Sequence, residues 1–157
     1  MNKNSIQLQE YMKNEKIDMI YMDDPTAVAY FTNFDSNPHE RIVAYVIAQE
    51  DEFLFVPSLE YAEAKKQSNV ETIVTYTDDE DPWKIISENG HRIAPTIQKV
   101  SVDEKTLTVE RWFKLQQYLS SEKDSTEWDD ISQVVEQMRV VKTDEEVQKM
   151  IRAGELA

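Results

Sequence analysis

Apolar and polar positions along the chain follow two rhythms, one helical and one strand-like, and the switches between them mark out short elements. Leu8, Tyr11, Met12 and Glu15 share one face of a helix that starts near Ser5. Asp18 to Met22 reads as a short buried strand. Asp24-Pro25 is a helix start: the aspartate can cap free N–H groups, and a proline at the first helical position has no N–H to leave unpaired. A short helix through Ala27, Val28 and Phe31 follows. Ile42 to Ala48 is a continuous apolar run rich in β-branched residues, the pattern of a central strand covered on both faces.

Gln49-Glu50-Asp51 turns the chain, and Glu52 to Val56 returns as the hairpin partner. Pro57-Ser58 stops that strand, with Ser58 placed to cap a helix carrying Leu59, Ala62 and Lys66. Thr72 to Tyr76 is a further strand, and Asp81-Pro82 repeats the cap-plus-proline device. The helix it opens is expected to end at Gly90, with His91 as a surface or capping residue beyond it. Lys99 to Asp103 reads as the last strand, followed by an amphipathic helix along Val109, Trp112, Phe113, Gln116 and Leu119. This alternation predicts an α/β fold, a mixed β-sheet with helices on both faces. Trp83 and Trp112 fall on helical apolar faces and are expected to pack in the core.

Composition narrows the function. Forty per cent hydrophobic residues suit a globular core, and no apolar run approaches the ~20 residues that span a bilayer. The start of the chain lacks an apolar signal-peptide core, so a cytoplasmic location is expected. With no cysteine, disulfides, thiolate zinc sites and a thiol nucleophile are excluded. A net charge of −14 without a Lys/Arg cluster argues against nucleic acid and anionic membrane as ligands. The two glycines, Gly90 and Gly154, cannot build a phosphate-cradling loop. The Asp78-Asp79-Glu80-Asp81 run lacks the alternation and the turning glycine of a calcium loop, and reads as a solvated segment opening a helix.

The last thirty residues carry the most information. After a polar linker at 121–125 and Trp128, expected to pack between domains, comes a helix with Ile131, Val134, Val135 and Met138 on one stripe. Thr143 and Glu146 then stand at capping-box spacing, and Val147, Met150 and Ile151 form an apolar stripe. Such a stripe either folds back on its own domain or belongs against a domain further along, and the second is the expectation.

Arg139-Val140-Val141-Lys142-Thr143-Asp144-Glu145-Glu146-Val147, with Met150 and Ala153, resembles the junction in the prolidase, aminopeptidase P and creatinase family where an amino-terminal domain passes into the "pita-bread" metallopeptidase domain. Tyr30-Phe31-Thr32-Asn33-Phe34, Arg41 opening a strand, and Leu54-Phe55-Val56-Pro57 with Leu59-Glu60 and Ala64 are similar to that family's first domain. Asn33 stands where many relatives carry glycine. Asp35-Ser36-Asn37-Pro38-His39-Glu40-Arg41 resembles the dipeptidase branch.

The resemblance implies a creatinase/prolidase amino-terminal domain with ribonuclease H-like layering over 1–125, and over 126–157 a linker helix and the start of the catalytic domain. It implies a metal-dependent Xaa-Pro dipeptidase that cleaves the bond before proline with two divalent ions, manganese or cobalt, held outside this chain. Aminopeptidase P, a creatinase-like amidinohydrolase or a stand-alone binding domain are the alternatives. The resemblance implies no catalytic residue or metal ligand here, and an isolated chain without peptidase activity. The expected partners are its own catalytic domain, a second copy in a homodimer, and an Xaa-Pro dipeptide. In the family a loop of this domain reaches the other subunit's active site, which makes Asp35, His39, Glu40 and Arg41 the candidate substrate contacts; by residue type alone His39 is an ordinary loop histidine. Arg41 suits a substrate carboxylate because its planar fork donates two parallel hydrogen bonds.

Overall fold

The computed structural model describes residues 2–120 and 126–140. They form one six-stranded mixed sheet in the order β4-β3-β2-β1-β5-β6, clad by helices on both faces, as the alternating pattern predicts. In chain order the elements are α1 (Lys3–Glu15), β1 (Met19–Met22), α2 (Pro25–Thr32), β2 (Ala44–Ala48) and β3 (Glu52–Pro57). A 3₁₀ turn (Ser58–Glu60) leads to α3 (Tyr61–Gln67), β4 (Ile73–Tyr76), α4 (Pro82–Ile93), β5 (Lys99–Val102), α5 (Val109–Leu119), β6 (Glu127–Asp130) and α6 (Ser132–Val140).

Strand alternation sorts the core into two layers. Ile20 and Met22 of β1 join Tyr45, Ile47, Leu54 and Val56 under α1, α2, α3 and α6. Met19 and Tyr21 turn the other way, with Val46, Phe53, Phe55 and Val100, against α4 and α5. All five residues of β2 are buried, as expected of a strand covered on both faces.

Both aspartate–proline starts form as read. Asp24 accepts from the Ala27 N–H at 3.2 Å, and Asp81 from the Trp83 N–H at 3.0 Å. Asn2 caps α1, so that helix begins at Lys3 rather than near Ser5. Four expectations need correction. Ser58 caps nothing through its side chain, and on the following turns Ala64 is buried while Leu59 and Ala62 face solvent. Gly90 does not end α4 but lies inside it, because a Cβ there would sit 3.1 Å from Met19 Sδ: the helix needs a glycine to approach the sheet, not to turn.

On α5 the buried row is Leu115 and Leu119 with half-buried Trp112, whereas Val109 and Phe113 are exposed. Finally, the sheet does not end at Lys99–Asp103: β6 pairs in parallel with β5, and its Trp128 packs edge-on against Trp112 with ring centroids 4.7 Å apart. Trp83 is buried as read. His91 is exposed in the last turn of α4, its Nδ1 2.8 Å from the Ser87 carbonyl. The capping box at Thr143 and Glu146 and the stripe of Val147, Met150 and Ile151 lie outside the described residues.

Candidate functional site

The strand directions gather the loops of interest at one end of the sheet. β1, β5 and β6 run parallel, β2 runs against β1 and β3, and β3 runs parallel to β4. The carboxyl ends of five strands therefore share an end with the amino end of β2, the position where ligands bind in open α/β sheets. The segment entering β2 there carries all four candidates.

Local chemistry shapes that segment. Asn33 closes α2 in the left-handed region (φ 64°), which asparagine tolerates and glycine adopts freely, a physical reason for the glycine the resemblance implies in relatives. Phe34 is buried in the core and roots the loop's start. Pro38 to Arg41 make a tight turn in which the Arg41 N–H donates to the Pro38 carbonyl at 2.9 Å and His39 takes φ 55°. A positive φ is uncommon outside glycine, although histidine, like asparagine and aspartate, tolerates it better than most residues, and a framework of surrounding contacts helps hold the turn.

Three contacts provide that framework. The Tyr76 hydroxyl accepts from the Ile42 N–H at 2.8 Å and donates to the Ile42 carbonyl at 2.9 Å. Arg41 Nη2 donates to Asp78 Oδ2 at 3.1 Å, an ion pair between exposed side chains. Arg111 reaches from α5: Nη1 donates to Asp23 Oδ2 at 2.8 Å and Nη2 to the Glu40 carbonyl at 3.2 Å. Asp23 also accepts from the buried Tyr21 hydroxyl at 2.9 Å. Burial, then the charge on Asp23, push the Tyr21 hydroxyl well above its ordinary value. Burial works against the Arg111 charge, yet the facing carboxylate leaves the guanidinium held above its own ordinary value.

The loop is a wall between two open clefts. On one side His39, Glu40 and Arg41 face Pro57, Leu59 and Glu60 around about 740 Å³. On the other His39 and Glu40 face Trp83, Thr108 and Arg111 around about 620 Å³. Three of the four candidates thus share one cleft, while Asp35 is exposed at the start of the loop and is not among the residues lining that cleft. Sequence reading missed Arg111, Asp23, Tyr76 and Glu60. Glu60 brings a carboxylate oxygen to the cleft region that is buried without a hydrogen-bond partner. A polar residue in a first helical turn gives no sign that its partner lies 88 positions away.

Among the described residues no three His, Cys, Asp or Glu side chains cluster so as to hold a metal ion. In the acidic run before α4, Asp78 pairs with Arg41, while the other three make local bonds: Glu80 accepts from the Thr77 N–H at 2.8 Å, Asp79 from the Thr77 hydroxyl, and Asp81 caps the helix. The described residues thus offer no ligand set for the metal pair that the resemblance places outside this chain. Among the described residues no helix is long and apolar enough to cross a membrane.

Fold and loop geometry together define an α/β domain that presents its irregular segments at one end of the sheet. The chain belongs to the Creatinase/Prolidase N-terminal domain family, whose model matches residues 6–141. It is 34% identical over 151 residues to an Xaa-Pro dipeptidase of Lactobacillus delbrueckii subsp. lactis, covering 96% of this chain and 40% of that protein. The corresponding Lactobacillus helveticus enzyme is 31% identical over 94% of this chain and 39% of its own length. The chain therefore spans about two-fifths of the length of these relatives. Among solved structures, a proline dipeptidase chain from Streptococcus pneumoniae superposes with a TM-score of 0.78 at 28% identity, covering 90% of this chain and 100% of that one. The N-terminal domain of Xaa-Pro dipeptidase from Lactobacillus brevis gives 0.76 at 27% identity, over 86% and 99%.

Proposed function

We propose that this chain is the amino-terminal, substrate-gating part of a cytoplasmic Xaa-Pro dipeptidase, whose remaining polypeptide carries two divalent metal ions and the hydrolytic chemistry. The bond cleaved is the one before proline. In a homodimer the loop at 35–41 reaches the active site of the second copy and closes over the dipeptide. Arg41 takes the substrate's C-terminal carboxylate, His39 and Glu40 line the remainder of the pocket, and Asp35 stands at its entrance.

One observation carries this reading: His39, Glu40 and Arg41 share a cleft at the loop end of the sheet, and the Arg41 partner is an exposed carboxylate. An exposed ion pair contributes little, roughly 0–1 kcal/mol, so a substrate carboxylate shielded from water can displace Asp78. The two cleft walls also differ in character. Leu59 is exposed and apolar beside Pro57, and so suits the hydrophobic ring of a proline, whereas the loop wall supplies charge.

The test is Arg41→Ala in the intact protein, with an Xaa-Pro dipeptide compared against its C-terminal amide. A charge-assisted hydrogen bond to a carboxylate is worth about 1.5–3 kcal/mol, so KM for the dipeptide should rise about 10- to 100-fold while the amide changes little. Equal effects on the two would rule out carboxylate recognition by Arg41.

A further inference from the structure

The guanidinium of Arg111 joins the candidate loop to the rigid part of the domain, and its two ends have different surroundings. Its root is fixed. Thr108 caps the first turn of α5 and accepts from the Arg111 N–H at 3.2 Å. Nη1 lies on Asp23, whose side chain is only 5% exposed and which also holds the Tyr21 hydroxyl. Tyr21 in turn is a buried residue of β1 whose ring packs on Trp83, centroids 6.1 Å apart. The other end, Nη2, leaves this setting and donates to the Glu40 carbonyl, one residue after the left-handed His39. A guanidinium is planar and its two Nη atoms keep a constant separation. The place of the Glu40 carbonyl is therefore referenced to β1 through a single rigid group.

We propose that Arg111 is a positioning residue: by bridging Asp23 and the Glu40 backbone it sets where His39, Glu40 and Arg41 stand for substrate, without touching the substrate itself. This rests on the reading that the loop contacts the dipeptide. It also explains why arginine rather than lysine occupies the position. A lysine ammonium could keep the pair with Asp23 but could not also present a second donor at the angle the Glu40 carbonyl requires.

Arg111→Lys in the intact protein separates these functions, because it keeps the charge beside Asp23 and gives up the bridge. Hydrogen exchange of peptides covering 34–43 should become about tenfold faster, the size expected when one charge-assisted hydrogen bond is lost, while exchange in the six strands is unchanged. KM for an Xaa-Pro dipeptide should rise about five- to tenfold with kcat within about twofold, as expected for misplaced binding groups. Adding Arg111→Lys to Arg41→Ala should then do less than multiply the two single effects, since both act through one loop.

Unchanged exchange in the loop overturns the proposal. So does a raised KM in Arg41→Ala with none in Arg111→Lys, an outcome that leaves the substrate-contact reading standing. If neither variant moves KM, that reading fails and the positioning role fails with it. Strictly multiplicative effects in the double variant would show independent action and also overturn it. Should Arg111→Lys fold poorly, Asp23→Asn combined with Arg111→Gln removes both charges together, and the same measurements apply.

Discussion

Glu52 is a carboxylate in the wrong surroundings for its charge, and replacing it with glutamine should make the domain more stable near neutral pH. It opens β3 opposite Ile47, is 6% exposed, and has no ion-pair partner among the described residues. Its Oε2 lies 3.2 Å from the Tyr45 hydroxyl, which is also 2.9 Å from Ser5 Oγ, while Oε1 is buried without a partner. With Glu52 neutral, protons run in one direction, from Glu52 to Tyr45 to Ser5 and on to the Phe31 carbonyl 3.5 Å away. With Glu52 charged, Tyr45 must turn its single proton to the carboxylate, and Ser5 keeps its bond to Tyr45 only by donating its own proton there and giving up the Phe31 carbonyl.

Burial is the main cause that raises the Glu52 pKa above its ordinary value of 4.5, with Asp51 adding to it and the Tyr45 hydrogen bond opposing. The folded state thus holds this proton more tightly than the unfolded state does. Its stabilising contribution is complete below 4.5 and disappears as pH rises through the higher folded value. Glutamine keeps the shape, donates to Tyr45 and carries no charge. At about pH 7.5 Glu52→Gln should gain about 1–2 kcal/mol, because it removes a buried charge while keeping the hydrogen bond to Tyr45. With a urea slope near 2 kcal/mol/M for a domain of this size, the midpoint should move up by about 0.5–1 M. Tryptophan fluorescence during urea unfolding of both proteins, just below the ordinary carboxylate value and near pH 7.5, measures the difference. A gap that stays constant across the two conditions, or a variant that is less stable at the higher pH, would refute the reasoning.

Other substitutions test other parts of the structure. Tyr76→Phe keeps the stacking on Phe55 at 4.7 Å but strips the buried Ile42 N–H and carbonyl of their partner. It should lower stability by about 2–3 kcal/mol and Tm by about 5–10 °C in a thermal scan. Gly90→Val would push a branched side chain into Met19, already 3.1 Å from where the first carbon would sit. It should cost about 2–3 kcal/mol by chemical denaturation, and a neutral result would mean that α4 can lift off the sheet.

What could be read in advance depended on how local each signal is. Asp24-Pro25 and Asp81-Pro82 state their caps within a few residues, and the apolar run into β2 states its own burial. Gly90 misled because a missing side chain has two uses, a left-handed turn or a close approach, and only the neighbouring Met19 decides between them. α5 offers two rows that share Trp112 and Leu119, and the sheet buries the one carrying Leu115 rather than the one carrying Phe113. β6 contains Glu127, Trp128, Asp129 and Asp130 and has no apolar run, so nothing short of its pairing with β5 reveals a strand. The four loop candidates came from resemblance, but the contacts that hold the loop join residues dozens of positions apart, and no local pattern encodes them.

The composition of β6 restricts how molecules of this protein can meet. It is an outer strand, and an outer strand's unused backbone donors and acceptors invite a neighbouring sheet to add on. Here three of its four residues are carboxylates. Two such borders brought antiparallel would set six negative charges along one seam, on chains that each already carry −14. Growth into a continuous sheet across that border is self-limiting, which leaves the opposite border at β4, the helical faces and the loop-bearing end as the surfaces through which copies can associate.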